Sequence, residues 1–261
     1  MTTYNPKTVT DQSGSHDPVK VKVRHLTKAY DELLVLNDIS FDIRKGELLC
    51  IVGPTGCGKT TFLNCLTGFA PLTSGEILID NEPGNLFRHN IGFVFQEPST
   101  IPWLKVWDNV AFGLKIKKLP PPEVISRVEK MLDTVGLRRF VDYYPRELSA
   151  SLEQRVALAR EFAVKPDLLL MDEPYGQMDI KLRYYLEDEV RRIQMEEGTT
   201  VAFVTHNIEE AVYLADRILV LSQKPSTINE EVAIDLPRPR RFDAPEFVAI
   251  RNHVTEAIKW W

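Results

Sequence analysis

The segment Gly53-Pro-Thr-Gly-Cys-Gly-Lys59-Thr60 limits what this chain can fold into more than any other stretch of it. It follows Glu47–Val52, a short and nearly continuous apolar run of the kind shown by a strand buried on both faces. A helix is expected to start inside Gly53–Leu66. Strand, glycine-rich loop and helix in that order let successive backbone N–H groups turn inward around a polyphosphate, and the glycines admit it without a Cβ in the way. Lys59 then supplies a point charge to the β- and γ-phosphates, and the Thr60 hydroxyl is a ligand for Mg²⁺. The helix points its positive end at the anion. Gly53, Pro54, Thr55, Gly56, Cys57, Gly58, Lys59, Thr60 and Thr61 form the candidate nucleotide-binding set, with Cys57 read as a small residue tolerated in the loop, not a nucleophile.

The rest of the chain supports an α/β fold around that loop. Val21–Leu26 alternates as a half-buried strand does, and Val35–Ile43, Ile77–Ile79 and Ile91–Phe95 are further β-rich runs. From Glu97 to about Lys165 the character changes. The Pro120-Pro-Pro122 break and the helical spacing of Val124, Val128, Met131, Leu132 and Val135 mark a mostly helical insert. Strand character returns at Leu168–Met171, Thr200–Val204 and Arg217–Leu221, with helical stretches at Ile180–Met195 and Ile208–Ala215 between them. Alternation of this kind predicts a mainly parallel, helix-flanked sheet. The expected organisation is a flexible tail over 1–18, a core over 19–96 and 166–236 with a β-rich N-terminal subdomain, a helical subdomain over 97–165, and a C-terminal helical extension over 237–261.

Composition removes several alternatives. With 261 residues, 44% hydrophobic and 26% charged, the chain has material for a sizeable core. A net charge of −5 argues against a dedicated nucleic-acid binder. Apolar runs such as Leu48–Val52 are far short of the ~20 residues that span a bilayer. Met1–Pro18 lacks the apolar core of a secretory signal. Cys50, Cys57 and Cys65 are odd in number and form no C-x-x-C pair, which suits a reducing compartment.

A second chemical feature lies at Leu168-Leu-Leu-Met-Asp172-Glu173-Pro174, where two carboxylates end an apolar strand. Beside a phosphate loop, Asp172 is placed to hold Mg²⁺ directly or through water. Glu173 is placed to polarise an attacking water as general base. Hydrolysis, beyond binding, is the reading this pair favours.

From about Val21 to Leu236 the chain resembles the ATP-binding-cassette ATPases. Besides the two motifs above, Phe95-Gln96-Glu97 resembles the Q-loop, and Leu148-Ser149 followed by Gln154–Arg160 resembles the signature segment and its helix. Met178-Asp179 corresponds to the D-loop of the dimer, Thr205-His206 to the switch histidine, and Tyr30 to the aromatic residue that stacks on adenine. Tyr30 as a core aromatic and His206 as a structural histidine stay open at this point. The resemblance implies ATP and Mg²⁺ as ligands, Glu173, His206 and Gln96 as catalytic residues, and Thr60, Gln96 and Asp172 around the metal. Ile101–Leu114 and Ile234–Arg240 are most similar to importers of nitrate, sulfonate, taurine and related small anions. Such a subunit works at the cytoplasmic face of the inner membrane with transmembrane permease subunits and, indirectly, a solute-binding protein. Trp103 and Trp107 are docking anchors or insert core; Arg238, Arg240 and Arg241 read as a solvated patch. A soluble cassette ATPase and a regulatory subunit are the alternatives.

The chain departs from the family at the signature, which reads Leu148-Ser149-Ala150-Ser151-Leu152-Glu153 where the family carries Leu-Ser-Gly-Gly. Ala150 and Ser151 restrict positive φ. Glu153 brings a carboxylate that repels a polyphosphate unless turned away or paired. Because the resemblance implies that this segment meets the ATP held by the opposite subunit, a heterodimer with a second ATPase subunit is the favoured expectation and a homodimer the other.

Overall fold

In the computed structural model, residues 18–84, 88–176 and 178–258 are described. The expected tail over 1–18 lies, apart from Pro18, outside them. In chain order the elements are β1 (Val19–Tyr30), β2 (Leu33–Arg44), β3 (Leu48–Val52), α1 (Lys59–Thr67), β4 (Ser74–Ile79), β5 (Glu82–Pro83) and β6 (Ile91–Val94). There follow α2 (Val106–Ile116), α3 (Pro121–Thr134), α4 (Ala150–Ala163), β7 (Leu168–Asp172), α5 (Ile180–Glu197) and β8 (Thr200–Val204). The chain continues with α6 (Ile208–Leu214), β9 (Arg217–Leu221), β10 (Ile228–Ala233) and α7 (Pro245–Ala257).

The chain divides into two compact units, one of residues 1–89 with 200–261 and one of residues 90–199. The first contains an antiparallel sheet of order β2-β1-β4-β5. It also holds β9, β3 and β8 as parallel neighbours, with β10 antiparallel on β9. Every residue of β3, β8 and β9 is buried, the pattern of strands covered on both faces. Val21 and Val23 of β1 are fully buried, the alternation slips by one residue at Arg24-His25, where His25 has φ of 49°, and it resumes in the other phase with Leu26 and Lys28 buried. The strand β10 had no counterpart in the sequence reading, because its Asn229-Glu-Glu231 run is polar and it lies at the edge, paired to β9 alone.

In the second unit β6 and β7 pair in parallel, Val94 opposite Met171. Helices α2, α3 and α4 pack on one another, and α4 also packs on β6. These contacts group both strands with the helices, so this unit begins at Asn90 and ends at Thr199. The helix α3 buries Val124, Val128, Met131 and Leu132, the stripe that its spacing predicted, and starts with Pro121 where a missing N–H costs nothing.

Candidate functional site

The phosphate loop in the first unit is built by backbone constraint. Gly58 precedes α1 with φ of 115°, and a Cβ there would stand 2.8 Å from Leu36 Cδ2 and 2.9 Å from Val35 Cγ1. At Gly53 a Cβ would be 3.0 Å from the Leu221 carbonyl oxygen. The loop is thus pressed between β2 and the end of β9, and glycine is the residue that fits. Lys59 is buried, and its Nζ donates to the carbonyls of Gly53 (2.9 Å) and Pro54 (3.1 Å), so the cation is folded over the loop. Thr60 is exposed and Thr61 half-buried in the first turn of α1.

Cys57 is buried, and its thiol is raised above its ordinary range by that burial, against the opposing charge of Lys59. A thiol held protonated is a poor nucleophile, and the sequence reading of Cys57 is that of a small residue tolerated in the loop, not a nucleophile. Its carbonyl accepts from the hydroxyl of fully buried Ser226, in the β9–β10 connection. Gln223 and Lys224 of that connection line a cleft of about 370 Å³ with Pro54, Thr55, Gly56 and Cys57. The sequence reading missed these three residues because no motif marks them; they lie well beyond the loop in the chain and reach it through the β9–β10 turn.

The same unit places His206 two residues after β8, the parallel neighbour of β3. Thr205 N donates to Ile51 O at 3.2 Å, so loop and histidine leave adjacent strands at their carboxyl ends, where open α/β sheets bind ligands. His206 is exposed. Tyr30 ends β1 with 45% of its surface exposed and Lys28 Nζ 4.4 Å above its ring, so it is no core aromatic.

In the second unit β7 ends on Asp172, which is buried, and Glu173 follows with φ of 45°. That left-handed conformation is uncommon for a residue with a Cβ and is typical of residues whose direction is dictated by function. Gln96, two residues after β6, donates from Nε2 to Glu173 Oε2 at 3.3 Å. Adjacent parallel strands therefore bring the glutamine and the carboxylate together. Asp179 serves as the N-cap of α5, accepting from Leu182 N at 3.0 Å. In this unit Gln96 and Asp172 offer amide and carboxylate oxygens, and in the first unit Thr60 offers a hydroxyl, each a donor type that a hard cation such as Mg²⁺ takes.

The altered signature differs from its sequence expectation. Ser149 is the N-cap of α4, its side chain accepting from Leu152 N, and Ala150 and Ser151 are the first helical residues. Neither has a positive φ. The conformational objection to a side chain at these positions therefore falls away: a right-handed first turn accepts alanine and serine without strain. Glu153 is paired, since Thr100 Oγ1 donates to its Oε2 at 2.7 Å. Further along α4, Gln154 Nε2 donates to Phe95 O at 2.8 Å and Arg160 Nη1 to Ser99 O at 2.7 Å. The signature helix thus holds the chain on either side of Gln96.

Two other expectations change. Trp103 is 75% exposed and so is not insert core, while Trp107 is half-buried. Arg238 and Arg240 are not a solvated patch: Arg240 is buried, and both guanidinium groups bond backbone carbonyls at the end of α6. Only Arg241 is exposed, paired with Asp243 at 2.8 Å.

A phosphate-wrapping loop after a buried strand, with a strained carboxylate at the end of another, defines a P-loop nucleotide hydrolase. The comparisons with known proteins narrow this. Residues 36–176 match the ABC transporter family model. The chain is 40% identical over 245 residues to an uncharacterized ABC transporter ATP-binding protein of Methanocaldococcus jannaschii, covering 92% of each chain. It is 36% identical to an aliphatic sulfonates import ATP-binding protein of Bacillus cereus, covering 91% of this chain and 93% of that one. Among solved structures it is similar to a dimeric post-hydrolysis ATP-binding cassette bound to ADP and Pi, with a TM-score of 0.75, 32% identity, and coverage of 83% of this chain and 100% of that one. The chain belongs to the ABC transporter family and is an ABC ATPase.

Proposed function

We propose that this chain is the ATP-hydrolysing subunit of a membrane importer for a small anion of the sulfonate or sulfate kind. The observation that carries the ATPase part is the geometry of the Gly53–Thr60 loop, in which positive-φ glycines, buried Lys59 and the start of α1 make a polyphosphate cradle. The loop residues through Thr61 bind the phosphates, and Tyr30 presents a ring face for adenine. Thr60, Asp172 and Gln96 would hold Mg²⁺, which when bound neutralises phosphate charge. Glu173 orients and deprotonates the attacking water, and Gln96 fixes the direction of its carboxylate. His206 donates to the γ-phosphate.

Support for import comes from the relatives. One, 36% identical, is an aliphatic sulfonates import ATP-binding protein, and another, 43% identical over 212 residues, is a sulfate/thiosulfate import ATP-binding protein of Agrobacterium fabrum. Among the described residues no helix is long and apolar enough to cross a membrane. The subunit would then sit on the cytoplasmic face of transmembrane permease subunits, with a solute-binding protein supplying the cargo. Trp103, Phe112 and Ile116 offer exposed apolar surface on the second unit for that docking. The ATPase would act in a pair, with Asp179 at the dimer and Ser149, Ala150, Ser151 and Glu153 toward the partner's ATP. A heterodimer with an intact signature remains our preferred pairing. Its ground is the Cβ atoms that Ala150 and Ser151 add at a helix start that would face the partner's ATP.

Two measurements test this. Glu173→Gln is expected to reduce ATP turnover about 100-fold or more while ATP stays bound; unchanged turnover would remove Glu173 from the reaction. Tagging the chain in its own cells and extracting membranes in mild detergent should recover permease subunits and a second, different ATPase. Recovery with permease and only copies of this chain would end the heterodimer, and recovery without permease would end the importer.

A further inference from the structure

The helix α6 begins at Ile208, two residues after His206, with Asn207 between them as its N-cap, and it has only 7 residues. An isolated helix this short is marginal, so its order depends on its ends and packing. At the N-terminal end the Asn207 side chain accepts from Glu209 N and Glu210 N, and Thr205 bonds the Glu210 carboxylate. The C-terminal end leaves carbonyls without intrahelical partners. Two side chains from the Leu236-Pro-Arg-Pro-Arg240 segment take them. Arg240 Nη1 donates to the carbonyls of Val212 (2.7 Å), Tyr213 (3.0 Å) and Ala215 (2.7 Å). Arg238 donates to those of Tyr213 (3.0 Å), Leu214 (2.8 Å) and Ala215 (3.1 Å). All of the last carbonyls are thereby satisfied by two cations at the negative end of the helix dipole.

The arrangement continues on both sides. Arg238 also pairs with Asp216 at 3.0 Å, whose other carboxylate oxygen accepts from Leu48 N at the start of β3, the strand that leads to the phosphate loop. From α7, Arg251 Nη1 reaches Glu209 in the first turn of α6 at 2.8 Å. Tyr213 of α6 stacks on Phe242 at 4.8 Å, and Phe242 meets Phe247 of α7. The C-terminal extension thus grips α6 at both ends and along its side.

We propose that Arg238 and Arg240 are positioning residues: by gripping the carbonyl end of α6 they set the place of His206 at its other end. The proposal rests on the reading of His206 as the γ-phosphate histidine. Thr205, held to Ile51 of β3 and to Glu210, is a fixed pivot, so slack at the carbonyl end lets α6 tilt about it and turns the Asn207 cap and His206 with it.

The test uses the full chain with its native partners, labelled with ¹⁵N-histidine. Arg240→Gln is expected to lower kcat about 10- to 100-fold, the cost of misplacing a catalytic group by a fraction of its reach. Affinity for a non-hydrolysable ATP analogue should stay within about twofold, or about 0.4 kcal/mol, since Arg240 bonds the end of α6 and not the phosphate loop. Combined with His206→Ala, Arg240→Gln should add no further loss. The His206 imidazole resonances should shift while those of His25 and His89 hold still. Should Arg240→Gln fail to fold, Arg238→Gln, at a more exposed position, carries the same readings. An unmoved His206 signal, or a kcat loss that multiplies with that of His206→Ala, overturns the proposal. If His206→Ala leaves turnover intact while Arg240→Gln still moves the imidazole signal, the positioning role stands and the assignment of His206 to the γ-phosphate falls.

Discussion

The phosphate loop and the signature segment both lead into a helix N-terminus, and they place opposite demands on residue type. At the loop the backbone must turn through positive φ at Gly56 and Gly58, and Gly58 is also pressed against β2, so Gly56 is required by conformation and Gly58 by conformation and by space. At the signature, α4 starts directly after the Ser149 cap, so Ala150 and Ser151 take an ordinary right-handed turn. Glycine in a loop is irreplaceable when the chain has to wrap and pack at once. Glycine at a helix start is needed only for what approaches from outside. The altered signature of this chain therefore leaves its own unit intact, and any effect of Ala150 and Ser151 is on the ligand they would meet.

The largest effect should come from Gly58→Ala. Left-handed strain of about 1–3 kcal/mol adds to overpacking against Val35 and Leu36. At roughly tenfold per 1.4 kcal/mol, ATP affinity measured by titration calorimetry should fall at least tenfold. Wild-type affinity in that variant would erase the contrast. Ser149→Ala should cost about 1 kcal/mol of unfolding free energy in urea, the value of a helix cap, with ATP affinity at the loop unchanged. Ala150→Gly should be smaller still. It should lower stability by no more than about 1 kcal/mol, the helix cost of glycine, while any gain in turnover would locate the penalty in the Cβ. Last, native protein should react slowly with iodoacetamide at neutral pH, since Cys50, Cys57 and Cys65 are all buried and burial raises each thiol, that of Cys65 to about 11. Rapid labelling of Cys57 would show the loop to be looser than its contacts imply.

The residues with fixed chemistry could be read directly. The glycine spacing of the loop, the carboxylate pair closing Leu168–Met171 and the histidine after Thr200–Val204 are local patterns, and each falls at the end of a strand as the runs predicted. The roles that were misread depend on distant partners. Arg238 and Arg240 look like surface charge until the carbonyl end of α6 is found beside them. Glu153 looks like a repulsive carboxylate until Thr100 is found donating to it.

By itself the sequence determined the class of chemistry, because a phosphate cradle, a general base and a helix start are made from neighbouring residues whose backbone and charge are local properties. The tertiary structure alone decided which groups hold that chemistry in place. Ser226 under the loop, Gln96 against Glu173 and the two arginines behind α6 meet their partners across 169, 77 and more than 20 residues of chain. Contacts over such separations follow from how sheets and helices pack, and no local pattern encodes them.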